Sequence, residues 1–163
     1  MRRHSVFYSF HYKNDVNRVQ LIRNIGALDG NEPVLKNEWE KIKQKGEQAV
    51  KNWIDTNLKY KNVLVVLIGS ETYDRYFVRY EIKKAWEMGK PMLGIYIHNI
   101  NCMNNGTCKK GRNPFEYFNY NQDTNLSQIV KCYNPNPNNA YKDISDHISS
   151  WIEEAKIIKA KYN

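Results

Sequence analysis

Residues 62–89, NVLVVLIGSETYDRYFVRYEIKKAWEMG, restrict the fold more than any other stretch of the chain. Six consecutive apolar residues, Val63 to Ile68, show no polar alternation. That is the mark of a strand covered on both faces, and so of a parallel sheet with helices on either side. Gly69-Ser70 end the strand, a short polar turn follows, and a helix begins. Val78, Ile82, Ala85 and Gly89 recur at helical spacing and would pack on the sheet, whereas Phe77 and Glu81, four residues apart, share a neighbouring face. Ligands of open α/β sheets bind in the crevice outside the carboxyl ends of the strands, so chemistry is expected at this turn and Glu81 can aim a carboxylate into it. The plain alternative is a solvated helix on which Glu81 pairs with Lys84, an i,i+3 contact worth about a few tenths of a kcal/mol.

The remaining segments extend the pattern. Ser5 to Phe10 reads as a first strand, supplied by Val6, Phe7, Tyr8 and Phe10. His11 to Asp15 stops it, with Asn14 or Asp15 as the cap of a helix to about Ile25 whose inward residues are Val16, Val19, Ile22 and Ile25. Residues 26–37 read as a long loop holding at most a short edge strand at Pro33 to Leu35. A helix from about Asn37 to Leu58 follows, with Gly46 marking a break in it. Pro91 to Ile97 is a further strand, which completes a right-handed βαβ crossover. Residues 98–138, rich in Asn, Gly and Pro, form an irregular insertion. Within it Asn113 to Phe118 starts a helical turn, since Pro114 suits a first helical position, and Ile129 to Tyr133 supplies a last strand. A helix at about 143–161, apolar through Ile144, Ile148, Trp151, Ile152, Ala155 and Ile158, closes the chain. The expectation is one α/β domain over residues 1–163, with a mostly parallel sheet of four to five strands and helices on both faces.

Composition narrows the function classes. Aromatic residues make up 13% of the chain, twelve of them Tyr, which supports a packed core despite a mean hydropathy of −0.76. The first ten residues lack the apolar region and cleavage site of a secretory signal, and no window approaches a membrane span. Cys102, Cys108 and Cys132 leave an odd thiol, which fits a reducing cytoplasm with free thiols. Cys102 and Cys108 have no matching second pair and only His98 nearby, so no metal site is expected. The net charge of +8 would suit nucleic acid, but the basic residues are dispersed. The one short run, Lys109, Lys110 and Arg112, sits among Gly and Asn as a solvated loop, and base-reading motifs are absent.

The order VFYSFHYKND, IGSETYDRYFVRYEI, KPMLGIYI resembles a TIR domain. Ser9-Phe10 stand where that family ends its first strand in a Ser-aromatic pair; Ser70 ends a later strand, and Phe77 and Glu81 match its aromatic residue four before a glutamate. Phe77 and Val78 stand where the family more often has Trp and Cys. Residues 7–12 (FYSFHY), 37–41 (NEWEK), 66–82 and 113–118 (NPFEYF) are closer still to the TIR-like proteins of the bacterial Thoeris anti-phage system.

The resemblance implies a flavodoxin-like domain that takes NAD as substrate, with no permanently bound cofactor. It implies cleavage of the nicotinamide glycosidic bond and release of a cyclic or conjugated ADP-ribose messenger that activates a separate effector. Also implied are a phage component as trigger and a homo-oligomer as the working form. Glu81 is then the catalytic residue, and Ser9, Phe10, His11, Tyr12, Trp39, Ser70 and Phe77 the substrate-binding set. Ordinary packing is the competing account of Phe10, Tyr12 and Trp39; for Asn113 and Phe115 a helix start is preferred over a lid. A non-enzymatic TIR-like interaction module is the alternative function; it has no need of a carboxylate at the mouth of the sheet.

Overall fold

The computed structural model describes residues 4–23, 25, 28–30, 41–101 and 106–162. In chain order its elements are β1 (His4–Ser9), α1 (Tyr12–Arg23), β2 (Leu28–Gly30), α2 (Glu47–Lys59), β3 (Val63–Ile68), α3 (Tyr76–Glu87), β4 (Met92–Tyr96), β5 (Cys132–Tyr133) and α4 (Ala140–Ala160). Short 3-10 turns occupy Thr72–Asp74, Pro114–Tyr117 and Leu126–Gln128.

The uninterrupted apolar run becomes the middle strand, as its sequence requires. All five strands are parallel, in the order β2-β1-β3-β4-β5, and no residue of β3 is more than 1% exposed. Side chains of a strand alternate between faces. Val63, Val65 and Leu67 accordingly pack with Val19 and Ile22 of α1 and with Ile144, Ile148 and Ile152 of α4. Leu64, Val66 and Ile68 pack with Val50, Ile54 and Leu58 of α2 and with Val78, Ile82 and Ala85 of α3. Each such Val, Leu or Ile contributes about 1.5–3 kcal/mol relative to exposure, so the two apolar layers, rather than helix propensity, hold the helices down.

This strand order is the flavodoxin-like one, with its reversal between β1 and β3. The chain leaves β1 for β2 on one side, and β3 begins the march to β4 and β5 on the other. Their carboxyl ends, Ser9 and Ile68-Gly69, therefore bound the crevice where such sheets bind ligands.

Several expected boundaries move. Helix α1 starts at Tyr12 rather than after an Asn14 or Asp15 cap, and the Asp15 N–H already bonds the His11 carbonyl at 3.0 Å. Its inward stripe is Asp15, Arg18, Val19 and Ile22, with Val16 only half-buried. An edge strand does lie between the first two long helices, at Leu28–Gly30; the Pro33 to Leu35 strand and Trp39 lie outside the described residues. Gly46 breaks the second helical stretch as expected, separating helical residues 41–44 from α2 with a φ of 100°, a conformation that glycine adopts without strain. The last strand is Cys132–Tyr133 only, because Ile129 and Val130 turn inward as core residues before it. Helix α4 begins at Ala140, three residues early.

The stretch from His98 to Asn138 is irregular in backbone but not peripheral. Phe115 is fully buried, and with Leu126, Ile129 and Val130 it finishes the apolar layer over α3. Two capped turns hold it: the Asn113 side chain accepts the Phe115 N–H at 2.9 Å, and Asn125 with Gln128 forms a capping box. Residues 114–117 are thus a helix start, as Pro114 foretold.

Candidate active site

Ser9 is the last residue of β1, and strand alternation turns it toward the α2–α3 face. Helix α3 presents Val78, Ile82 and Ala85 to the sheet, and one step round its surface Glu81 reaches the same place. The Ser9 hydroxyl donates to Glu81 Oε1 at 2.8 Å, across 72 residues of sequence. Both side chains are buried, Ser9 completely and Glu81 to 7% exposure. Glu81 therefore makes no helix-surface pair with Lys84; its partner is the strand end.

Among the described residues, a carboxylate in this position has exchanged water for one neutral hydroxyl. Burial pushes the Glu81 pKa up to about 8, and the hydrogen bond from Ser9 opposes that rise only in part. A pKa in that range favours the protonated carboxyl near neutral pH, and a positive charge placed beside it would favour ionisation. Carboxyls with strongly raised pKa values at the mouth of a sheet are candidates for chemistry.

A second buried carboxyl lies at the end of β3, on the α1 side. Asp15 is 1% exposed, and a Cβ on Gly69 would stand 2.2 Å from its Oδ2, so the strand end and α1 touch only because residue 69 is glycine. Burial raises the Asp15 pKa to about 6; the neighbouring Arg18 works against that rise and the charge of Glu71 adds to it. Arg18, 3% exposed, lies 3.5 Å from Asp15 Oδ1 and donates to the carbonyls of Ile100 at 3.0 Å and Gly106 at 2.7 Å. One guanidinium thereby ties α1 to the loop that follows β4.

That loop crosses the strand ends. A Cβ on Gly111 would lie 2.0 Å from the Gly69 carbonyl oxygen, so the two backbones are in direct contact. Lys110 Nζ sits 4.5 Å from the Tyr96 ring centre, and the Arg112 guanidinium 4.3 Å from that of Tyr73. The Lys109–Arg112 run is a solvated strap, its three basic side chains exposed as expected, with Lys110 and Arg112 laid over aromatic rings. Beneath the strand end, the Gly69 N–H donates to Thr72 Oγ1 at 2.8 Å, which fixes the turn into α3.

The other residues marked from sequence are spread around this crevice. Phe77 is half-buried on the Glu81 flank of α3 and packs on the same apolar layer. Phe10 packs instead on the α1–α4 layer, across the sheet from Glu81. His11 is half-buried at the start of α1, and Ser70 is exposed beyond the end of β3. Trp39 and the side chain of Tyr12 lie outside the described residues. The structure thus brings Ser9 and Glu81 into contact, sets Phe77 on their flank, and does not bring Phe10 to the same face.

Residues 7–101 match the family described as "Thoeris protein ThsB, TIR-like domain". The chain is also 35% identical over 129 residues to "Putative cyclic ADP-D-ribose synthase ThsB1" of Bacillus cereus (strain MSX-D12), an alignment covering 76% of this chain and 67% of that protein. This chain belongs to the Thoeris ThsB TIR-like family. The family match contains Ser9, Asp15, Gly69 and Glu81, and stops before the 106–112 strap. Among the described residues of this ThsB-family protein, no cluster of His, Cys, Asp and Glu could hold a metal ion, and no helix is long and apolar enough to cross a membrane. Cys108 and Cys132 are free thiols.

Sequence reasoning passed over Asp15 as a functional candidate, passed over Arg18 and Thr72 entirely, and took Gly111 only as a loop residue. A signal existed for the first two: Asp15 and Arg18 fall on the inward stripe with Val19 and Ile22, and two charges on an apolar stripe ask for buried partners. Nothing local marks Gly111, whose contact lies 42 positions away at Gly69.

Proposed function

We propose that this protein consumes NAD, cleaving the nicotinamide glycosidic bond and releasing a cyclic or conjugated ADP-ribose messenger in anti-phage defence. The observation that carries the reading is the buried Ser9–Glu81 hydrogen bond at the carboxyl ends of β1 and β3, with no cationic partner for Glu81 among the described residues. Loss of nicotinamide leaves an oxocarbenium-like ribose, and a carboxylate held beside it stabilises that charge as it develops. No proton donor to the leaving group is required, since nicotinamide departs neutral from a cationic substrate with the electrons of the broken C–N bond.

The raised pKa of Glu81 suits this task in a particular way. A cationic nicotinamide riboside entering the crevice supplies the positive charge that Glu81 lacks and draws the carboxyl into its ionised form. Ser9 holds Oε1 and leaves the second oxygen for the ribose side. Phe77, on the same flank of α3, walls the nicotinamide, while Phe10, His11, Tyr12, Trp39 and Ser70 contribute to the remainder of the substrate surface. If the adenine end folds back onto the ribose, attack from within the molecule gives a cyclic product; if water enters, it gives free ADP-ribose. The product acts on a separate effector, a phage component triggers synthesis, and the working form is a cytoplasmic homo-oligomer.

Nucleotide analysis of phage-infected cells expressing the protein or its Glu81→Gln variant tests this reading. NAD loss and a new ADP-ribose derivative appear only with Glu81 intact. Identical nucleotide pools in both, with folded protein and defence confirmed, would overturn it and leave an interaction module.

A further inference from the structure

The outer side of α3 carries a second concave surface, turned away from Glu81. It is a groove of about 710 Å³ between α2, α3 and the segment holding the Pro114–Tyr117 and Leu126–Gln128 turns, a size typical of small-ligand sites. Glu81 does not line it. Tyr76, Tyr80, Lys83 and Lys84 recur along one side of α3, while Tyr117 and Tyr120 form the opposite wall.

Two properties of this groove are unusual together. The first is uncovered aromatic surface: Tyr76, Tyr117 and Tyr120 are 54%, 53% and 42% exposed, on facing walls. The second is unbalanced positive charge. Lys51, Arg79, Lys83 and Lys84 line the groove against one carboxylate, Glu87. Lys51 is engaged with Glu47 at 3.0 Å and lies 5.2 Å from the Tyr80 ring centre; Arg79 is engaged with Asp74 at 3.7 Å and stacks 3.8 Å from that of Tyr117. Lys83 and Lys84 make no ion pair or side-chain hydrogen bond among the described residues.

A ligand matched to both properties has a flat ring to stack on tyrosine faces and an anionic group to meet the lysines of α3. We propose that the groove is a second nucleotide site, taking a nucleoside diphosphate with its base against Tyr117 and Tyr120 and its phosphates on Lys83 and Lys84. An acidic peptide would use the same lysines, but the facing aromatic walls favour a compact planar ligand. The assignment does not depend on what Glu81 does.

The test uses ADP as probe, titrated calorimetrically into the full chain carrying Glu81→Gln, so that turnover cannot interfere. A complex with ADP is expected that weakens tenfold or more in Lys83→Glu/Lys84→Glu and in Tyr120→Ala, the latter compared with the parent at matched folded fraction because Tyr120 also packs edge-on against Trp86 and Tyr162. Photolabelling with 8-azido-ADP should mark residues 114–128 and lose that labelling in the same variants. Absence of ADP binding at millimolar concentration overturns the proposal, as does ADP binding that these variants leave unchanged or a Glu-Tyr copolymer that binds more tightly than ADP. Failure of the NAD reaction leaves these readouts unaffected, so the two readings fail separately.

Discussion

Two buried carboxyls face each other's strand ends across the sheet, Asp15 on α1 and Glu81 on α3, and they have been treated differently. Asp15 is given a guanidinium, imperfectly placed at 3.5 Å, and its pKa rises only to about 6. Glu81 is given a neutral hydroxyl at 2.8 Å, and its pKa rises to about 8. Both rises come first from burial, which weighs more heavily on Glu81; among the described residues the Arg18 charge opposes the rise at Asp15, and only the Ser9 hydroxyl opposes it at Glu81. A carboxyl supplied with its own counter-charge is part of the framework. One buried beside a hydroxyl alone suits a positive charge from outside; on the reading proposed above, that charge is the cationic nicotinamide ribose of NAD.

The sharpest way to break the comparison is to remove the cation from the framework pair. Arg18→Met leaves Asp15 buried alone and strips two carbonyls of their donor, which should cost about 3–5 kcal/mol in denaturant unfolding. Adding Asp15→Asn should recover part of that loss. If Arg18→Met unfolds like the parent, the guanidinium is not what holds the strap to α1.

Next in size is a pH effect of opposite sense at the other carboxyl. A raised folded pKa means that the native state binds the proton more tightly than the unfolded chain, so the parent loses stability as pH climbs from about 4.5 through about 8. Glu81→Gln keeps the shape without ionising. Its thermal midpoint should match the parent near pH 4 and exceed it at pH 9, by an amount on the order of a few kcal/mol in stability. A gap that fails to widen with pH contradicts the burial account of Glu81.

Smaller effects sharpen the geometry. Gly111→Ala forces a methyl group into the Gly69 carbonyl and should cost about 1–3 kcal/mol, lifting the strap from the strand ends. Ser9→Ala removes the one bond that steadies ionised Glu81 and should cost about 1 kcal/mol. It should also move the alkaline-going limb of the NAD-cleavage profile to higher pH, because the carboxyl then ionises later.

The sheet was legible because its cues are local. Val63 to Ile68 carries its own burial pattern, and the helical spacing of Val78, Ile82 and Ala85 identifies which side of α3 faces inward. Glu81 was legible as a residue on the flank of that face, but its partner was not legible from spacing, since Ser9 lies 72 residues away. The start of α1 was misplaced because Asn14 and Asp15 look like caps; Asp15 is instead an interior residue committed to a tertiary contact with Gly69. The stretch after β4 read as loop because its backbone is irregular, although Phe115, Leu126, Ile129 and Val130 place it in the core.

Carbon-13 titration of the Glu81 and Asp15 side-chain carboxyls by NMR, with and without NAD, tests the contrast between them most directly. In Ser70→Ala or parent protein alike, the free form should show Glu81 titrating near 8 and Asp15 near 6, and bound NAD should pull the Glu81 value down while leaving Asp15 in place. A Glu81 that titrates near 4.5 in the free protein, or one indifferent to NAD, would contradict the account of a carboxyl awaiting its substrate's charge.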